Sequence, residues 1–413
     1  MKPTTKNIKS NLPKFLIIRA FQDASLLWIP IIYLFYNSIG LNLAQIGIIA
    51  SVSFFTTFLL EVPTGVMADK IGRKKTLVIG GILTILFSLT LIFANSFYEV
   101  FLASLFLGSA IAINSGADTA IIYDSLKQLK KENQFKEFLG KHQGIGLFSG
   151  ATALLFLGLS SKINFKPVFI IVTFLATIST LIILTLKEPK VHSKKLGTSL
   201  NHFIESTKEI LSKKILFIIF SYTIIVVAII NGFFRFHQIY ANQVGIKIAS
   251  ISLVYSAMFF IAGISSFNIK RLERFLGLKL SLILIPITLG LSYILMGTFF
   301  TPLSILFVFL ESIIAGISLI TLEDLQNKLI SSEKRATILS VSSFFQSAFK
   351  GIFILIIGVL AQAKSLRPTY IILGLFIIIL GTYLASRINS YYKTKTIRPR
   401  SNKNRRNRKI QSQ

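Results

Sequence analysis

The sequence predicts an all-α membrane protein with twelve transmembrane helices arranged as two pseudo-symmetric six-helix bundles. Three observations predict this class. The 413 residues are 53% hydrophobic and only 15% charged, with a mean hydropathy of +0.69, whereas soluble domains carry about 45–50% apolar and about 25% charged residues. One soluble core cannot bury such an excess. Apolar runs long enough to cross roughly 30 Å of hydrocarbon recur twelve times, and basic residues alternate from gap to gap between them. The alternating ten-residue strands of a β-barrel are absent from the sequence.

The runs fall at 15–37, 43–68, 76–94, 98–123, 141–161, 166–187, 215–241, 248–268, 280–299, 302–322, 337–362 and 368–388. Glycine, serine and proline inside them are ordinary for membrane helices. Before the first run, Met1 to Lys14 is basic and polar. No short apolar stretch with a small-residue cleavage site follows, so the first run reads as a retained span. With the span-end residues Lys141, Lys187 and Arg387 counted to the adjoining even gaps and C-terminus and Lys166 to the adjoining odd gap, the N-terminus, the even-numbered gaps and the C-terminus together hold 37 of the 45 Lys and Arg residues, and the odd-numbered gaps hold 5. Arg19, Arg235 and Lys350 lie within spans. By the positive-inside rule both termini are cytoplasmic and the chain is a multi-pass protein of the cytoplasmic membrane.

The starts of spans 1–6 and 7–12 are offset by 196–205 residues, and Gly116 with Asp124 near the end of span 4 is echoed by Gly316 with Asp324 near the end of span 10. Two like-oriented halves imply duplication about an axis along the membrane normal. The expected organisation is a cytoplasmic N-terminus (1–14), an N-terminal bundle (15–187), a cytoplasmic linker (188–214), a C-terminal bundle (215–388) and a basic, disordered cytoplasmic tail (389–413).

Several function classes fall away. With no cysteine, there are no disulfides, iron–sulfur clusters or thiolate zinc sites, and four scattered histidines leave little for a metal centre. Gly144 and Gly146 lie within a helical run without a phosphate-binding pattern after them. The chain is therefore expected not to be an enzyme and to need no cofactor, the proton gradient being its energy source. The net charge of +29 lies along one membrane face, which points to anionic headgroups beneath the tail residues Arg405, Arg406, Arg408 and Lys409 and not to nucleic acid. A monomer is expected.

Between spans 2 and 3 the chain reads Gly65-Val66-Met67-Ala68-Asp69-Lys70-Ile71-Gly72-Arg73-Lys74-Lys75. This resembles the signature loop of the major facilitator superfamily, and position, span number and repeat agree. The resemblance implies a major facilitator fold, with substrate bound between halves that rock to expose it alternately to each side. It makes Gly65, Asp69, Gly72, Arg73 and Lys74 a conformational latch, Asp69 facing the N-terminus of span 11. Gly65 would let helices approach closely and Gly72 would permit a sharp turn. In the second half, aligning Gly277 with Gly72 puts Arg274 at the place of Asp69 and Leu278 at that of Arg73, so the acidic latch occurs once. The Glu61-Val62-Pro63-Thr64-Gly65 and Ser115-Gly116-Ala117-Asp118 stretches resemble a group of bacterial permeases and exporters. Ala112 stands where proton-driven drug antiporters of this superfamily carry arginine, and span 5 has Gly144, Gly146 and Gly150 without the antiporters' proline.

Ionisable side chains within hydrocarbon are costly and functional by default. Arg19, Asp23, Glu61 and Asp118 lie at similar depths, roughly 6–12 Å from the cytoplasmic span ends. Arg19 and Asp23 are neighbours at i and i+4. Three carboxylates against one arginine suggest proton coupling, with Asp23 or Asp118 holding the proton, Arg19 displacing it, and Glu61 either taking part or hydrogen-bonded beside Pro63. In the second half a Glu311–Lys350 pair is expected from matching depth. Asn231, Arg235 and Gln346 are further candidates for the substrate cavity, whereas His237 reads as exposed or hydrogen-bonded. The expected function is secondary active transport of a small molecule by alternating access, foremost proton-coupled export of an amphipathic or hydrophobic compound. Proton-coupled or facilitated uptake of a polar or anionic solute, and lipid flipping on the same scaffold, are the alternatives.

Overall fold

The computed structural model describes residues 8–159, 164–189, 200–329 and 335–397, and among them there is no strand. In the first half the membrane helices are α1 (Asn11–Ser38), α2 (Leu43–Ile71), α3 (Arg73–Phe93), α4 (Phe97–Gln128), α5 (Phe135–Leu159) and α6 (Phe165–Leu184). In the second they are α7 (Lys214–Gln243), α8 (Ile248–Phe267), α9 (Ile269–Phe299), α10 (Val308–Leu329), α11 (Arg335–Lys364) and α12 (Leu366–Ile397). Among the described residues, eleven of the twelve positions hold helices long and apolar enough to cross a membrane; the tenth holds the shorter apolar stretch Pro302–Ser318, which runs into α10. The linker contains a further helix, Leu200–Ser212. The expected basic tail lies largely outside the described residues.

Local chemistry explains the breaks. The first run reads as one span, but α1 is interrupted: helix to Ala24, a 3-10 turn over Ser25–Trp28, and helix again from Ile32 to Ser38. Pro30 supplies no N–H, and its ring displaces the carbonyl one turn back. Gly72 ends α2 and opens α3 with φ +96°, and Gly277 bends α9 with φ +71°. Both positions take the left-handed side of φ that glycine tolerates without strain. The two aligned glycines thus play one geometric role in the two halves, although the residues around them differ.

The halves meet along two helix pairs, α2 with α11 and α5 with α8. Near the non-basic face a Cβ added to Gly47 would stand 2.9 Å from the Gly358 Cα, so the two backbones are in contact. Gln362 Oε1 accepts the Leu43 N–H at 3.1 Å, and the Ser51 hydroxyl donates to the Gly351 carbonyl at 2.7 Å. The Tyr33 N–H donates to Gln238 Oε1 at 2.7 Å, tying α1 to α7. Ser256 of α8 donates to the Ala151 carbonyl of α5 at 3.0 Å. One buried apolar cluster runs through these contacts, including Ile46, Ile229, Phe236 and Ile354. Towards the basic face the ring centroids of Phe58 and Phe344 lie 4.0 Å apart, the planes tilted by 34°. Large exposed side chains such as Phe93, Phe148, Phe156 and Ile379 form the surface that lipid covers.

Candidate functional site

Among the described residues, the ionisable side chains deep within the membrane helices fall into three groups, and only one of them joins the two halves. At the seam, Glu61 comes from α2, Lys350 from α11 and Arg235 from α7. Glu61 and Lys350 attract one another, and Arg235 adds a second positive charge that Lys350 feels. No hydrogen bond or salt bridge closes between Glu61 and Lys350: Glu61 Oε2 is buried without a partner. Arg235 reaches into the first half, its guanidinium 4.9 Å from the Phe54 ring centroid and close to the Tyr33 hydroxyl. Two cations and one carboxylate therefore face a junction walled by aromatic rings. The Asn231 amide donates to the Val227 carbonyl at 2.8 Å and the Gln346 amide to Ser342 Oγ at 3.1 Å. Each is a contact within its own helix.

The second group lies inside the first bundle. Arg19 and Asp23 form the expected i, i+4 ion pair at 3.0 Å. Arg19 also donates to Gln143 Oε1 at 3.1 Å. Asp118 feels both charges of that pair, and His142 Nε2 lies 3.9 Å from its Oδ2. Arg19, Asp23 and Asp118 are together, as the sequence suggests; Glu61 is not with them. Depth along a helix was the common measure, but azimuth separates them: Glu61 is on α2, which turns to α11, whereas α1, α4 and α5 converge inside the bundle. Beside Pro63, Glu61 Oε2 is buried without a hydrogen-bond partner. Glycines admit the ion pair, because a Cβ on Gly146 of α5 would collide with Asp23 and Arg19.

The third group is inside the second bundle and overturns the Glu311–Lys350 pair. Glu311 Oε2 is 2.7 Å from His237 Nε2, and His237 Nδ1 is 2.9 Å from the Tyr370 hydroxyl. All three are buried, each 1% exposed or less. Tyr293 lies near the same carboxylate, but its hydroxyl and Glu311 Oε1 are both buried without a hydrogen-bond partner. Equal depth had suggested Lys350 as the partner, but Lys350 turns to the seam. His237 is hydrogen-bonded, one of the two states expected for it.

At the basic face the signature loop is built on Gly72. The side chain of Asp69, like the surroundings of Gly65, lies outside the described residues, so the latch contact to α11 is not described. Arg73 forms an ion pair with Asp124 of α4 and donates to the Ala120 carbonyl at 2.5 Å. The Glu188 carboxylate, at the start of the linker, accepts the backbone N–H groups of Arg73 and Lys74, each at 2.8 Å. Gly72 has no side chain to cap α3, so Glu188 supplies the acceptor, and a negative charge there also suits the helix dipole.

Sequence reasoning missed His142, Gln143, Asp124 and Glu188 as partners. The first two follow Lys141 at a span boundary, where polar residues look like loop. Asp124 was noted only as a mark of the repeat, and Glu188 only as the edge of the linker.

Comparison with known proteins agrees with this architecture. Residues 15–348 match the model of the Major Facilitator Superfamily. A variant of the nucleoside transporter NupG superposes with a TM-score of 0.80 at 15% identity, covering 91% of this chain and 99% of that one. A bacterial homologue of the human lysosomal transporter Spinster, inward-facing and unoccupied, gives 0.72 at 18% identity, covering 95% and 98%. A POT family transporter in complex with 5-aminolevulinic acid gives 0.73 at 14% identity, covering 92% and 96%. At these identities the likeness is one of fold. No curated protein matches in sequence. The family match spans most of the chain and coincides with twelve helical positions in two like halves: this multi-pass membrane protein is a transporter, not an enzyme, and belongs to the Major Facilitator Superfamily.

Proposed function

We propose that the chain is a proton-coupled importer of a small polar anion, with Lys350 and Arg235 as the anion's ligands and Glu61 as the proton carrier. The basic face is taken as cytoplasmic. The carrying observation is that Lys350 faces Glu61 across the seam instead of pairing with Glu311. When an anion engages Lys350 and Arg235, Glu61 loses its counter-charge. A half-buried carboxylate without a partner is costly as an ion, and a proton removes that cost. Anion and proton then occupy the seam together and cross together. An inward proton gradient would therefore drive accumulation.

The sign of this coupling separates uptake from export. Exchange of a compound for protons needs substrate and proton to compete, which suits a cation or neutral molecule displacing the proton from Glu61. Two cations against one carboxylate favour the anion. Export of an amphipathic compound, the first expectation from sequence, draws less support from this arrangement. Facing charges from different helices also favour a soluble anion over a lipid.

Purified protein in liposomes tests this reading, with small mono- and dicarboxylates as labelled probes. Glu61→Gln should abolish accumulation driven by a pH gradient yet keep counterflow at equal pH. Lys350→Gln should abolish both. Full proton-driven accumulation by the Glu61→Gln protein would overturn the proposal.

A further inference from the structure

One chamber lies away from the seam. It has a volume of about 380 Å³ and lies inside the first bundle, lined by α1, α3, α4, α5 and α6, with no residue from α2 or the second half. Its walls are graded. At the end nearer the basic face stand Arg19, Asp23, Asp118 and Gln143; at the other stand Leu26, Trp28, Phe87 and Leu107. From Leu107 to Asp118 along α4 is about 16 Å at 1.5 Å per residue. Trp28 and Phe87 meet edge to face at 5.2 Å.

The charges do not cancel. Arg19 and Asp23 satisfy each other at 3.0 Å, and Arg19 is further held by Gln143. That leaves Asp118, whose contact with His142 Nε2, at 3.9 Å, is beyond hydrogen-bonding distance, and which also feels the charges of the Arg19–Asp23 pair. The remaining charged side chains of α5 nearby, Glu137 and Lys141, pair with one another at 2.7 Å on the surface. Asp118 thus presents an uncompensated acceptor to the chamber, at a depth where an unpartnered carboxylate is costly. Mutual Arg19–Asp23 neutralisation and a lone Asp118 give this wall a net charge of one negative, the opposite sign to the seam.

We propose that this chamber is a second ligand site, separate from the seam, which binds an amphipathic amine with its ammonium group on Asp118 and its apolar tail against Trp28 and Phe87. The volume falls within the roughly 300–1,000 Å³ of small-molecule sites. The indole face adds attraction for a cation that enters or leaves past it. The site uses no seam residue and does not depend on the transport reading above.

Trp28 is the single tryptophan of the chain and lines the chamber, so its emission reports occupancy directly. The detergent-purified full-length protein would be titrated with hexylammonium chloride, and separately with ethylammonium, hexanol, hexanoate and sodium chloride. Hexylammonium should give a saturable change at a concentration at least tenfold lower than any of the others. Asp118→Asn should weaken it at least tenfold, Asp118→Glu should restore part of that loss, and Glu61→Gln should leave it unchanged. Trp28→Phe should silence the emission yet keep the rise in melting temperature that hexylammonium produces. Equal potency of hexanoate or hexanol on the unaltered protein would overturn the proposal even if Asp118→Asn failed to fold. So would undiminished binding by a folded Asp118→Asn protein, or the same response to sodium chloride.

Discussion

The α2–α11 contact at the non-basic face is tight enough that one side chain should reset the balance between conformations. A Cβ on Gly358 would stand 2.8 Å from both the Gly47 Cα and the Leu43 carbonyl oxygen, less than real Cβ contacts tolerate. Both neighbours are backbone, so no side chain can swing aside. A leucine at Gly358 must therefore push the helices apart. Overpacking of a close-packed contact costs about 1–3 kcal/mol, and here it is paid only in the state that holds the seam shut. The equilibrium between shut and open should move by about 5- to 150-fold. The chain has no cysteine, so Phe54→Cys provides a single reporter under the seam, where Phe54 is buried. Labelling by a membrane-impermeant maleimide from the non-basic side should accelerate by the same 5- to 150-fold when Gly358→Leu is added. A rate unchanged within twofold, in protein that elutes and melts as a folded monodisperse species, would refute the claim that this glycine contact holds the seam.

Other expectations follow from the closed groups. Removing His237 as His237→Phe leaves Glu311 without its hydrogen-bond partner in a site 1% exposed, and a buried polar group left unsatisfied costs about 1–3 kcal/mol, more when it is charged. The melting temperature should fall clearly, with a smaller fall for Glu311→Gln, which can still hydrogen-bond. Glu188→Ala removes the acceptor at the start of α3, and loss of a helix cap typically costs about 0.5–2 kcal/mol; backbone amides of Arg73 and Lys74 should exchange several-fold faster, read by hydrogen exchange. Gly146→Leu should drive α5 away from Arg19 and Asp23 and lower thermal stability more than Gly144→Leu, since a Cβ at Gly144 meets nothing within 4 Å.

The fold was legible because its cause is one-dimensional. Length of apolar run, spacing of charge and offset of the repeat are all properties of position along the chain, and they survive folding. Azimuth does not. Glu311 and Lys350 share a depth, as Glu61 and Asp118 do, but which way each helix face turns depends on packing such as Gly47 on Gly358 and Gly146 on Asp23. Arg19 and Asp23 were readable because four residues along one helix fix azimuth as well as depth. Pro30 announced the break in α1 and was passed over because apolar residues continue beyond it. Glu188 shows the opposite case: an exposed residue whose partner, the α3 N-terminus, is more than a hundred residues away and carries no side-chain signature at all.

The distribution of partners also decides which charges can report on a conformational change. If the two bundles move as rigid bodies, a pair within one bundle keeps its distance in every state. Arg19 with Asp23 and Arg73 with Asp124 belong to the first half; His237 with Glu311 belongs to the second. Such pairs contribute equally to both conformations, and a ligand or proton that binds equally to both shifts nothing. Glu61 and Lys350 are different, because α2 and α11 belong to opposite halves, and Arg235 likewise reaches from α7 to Phe54 on α2. Their mutual energy must change whenever the halves tilt. A proton on Glu61 therefore acts on the equilibrium, whereas one on Asp23 acts on it only by altering solvent access. Neutralising Asp23 as Asp23→Asn should consequently lower the melting temperature while leaving the pH dependence of transport in place, and Glu61→Gln should do the reverse. If Asp23→Asn abolished proton dependence and Glu61→Gln left it intact, the first bundle would have to deform internally during transport, and the rigid-body premise would fail with it.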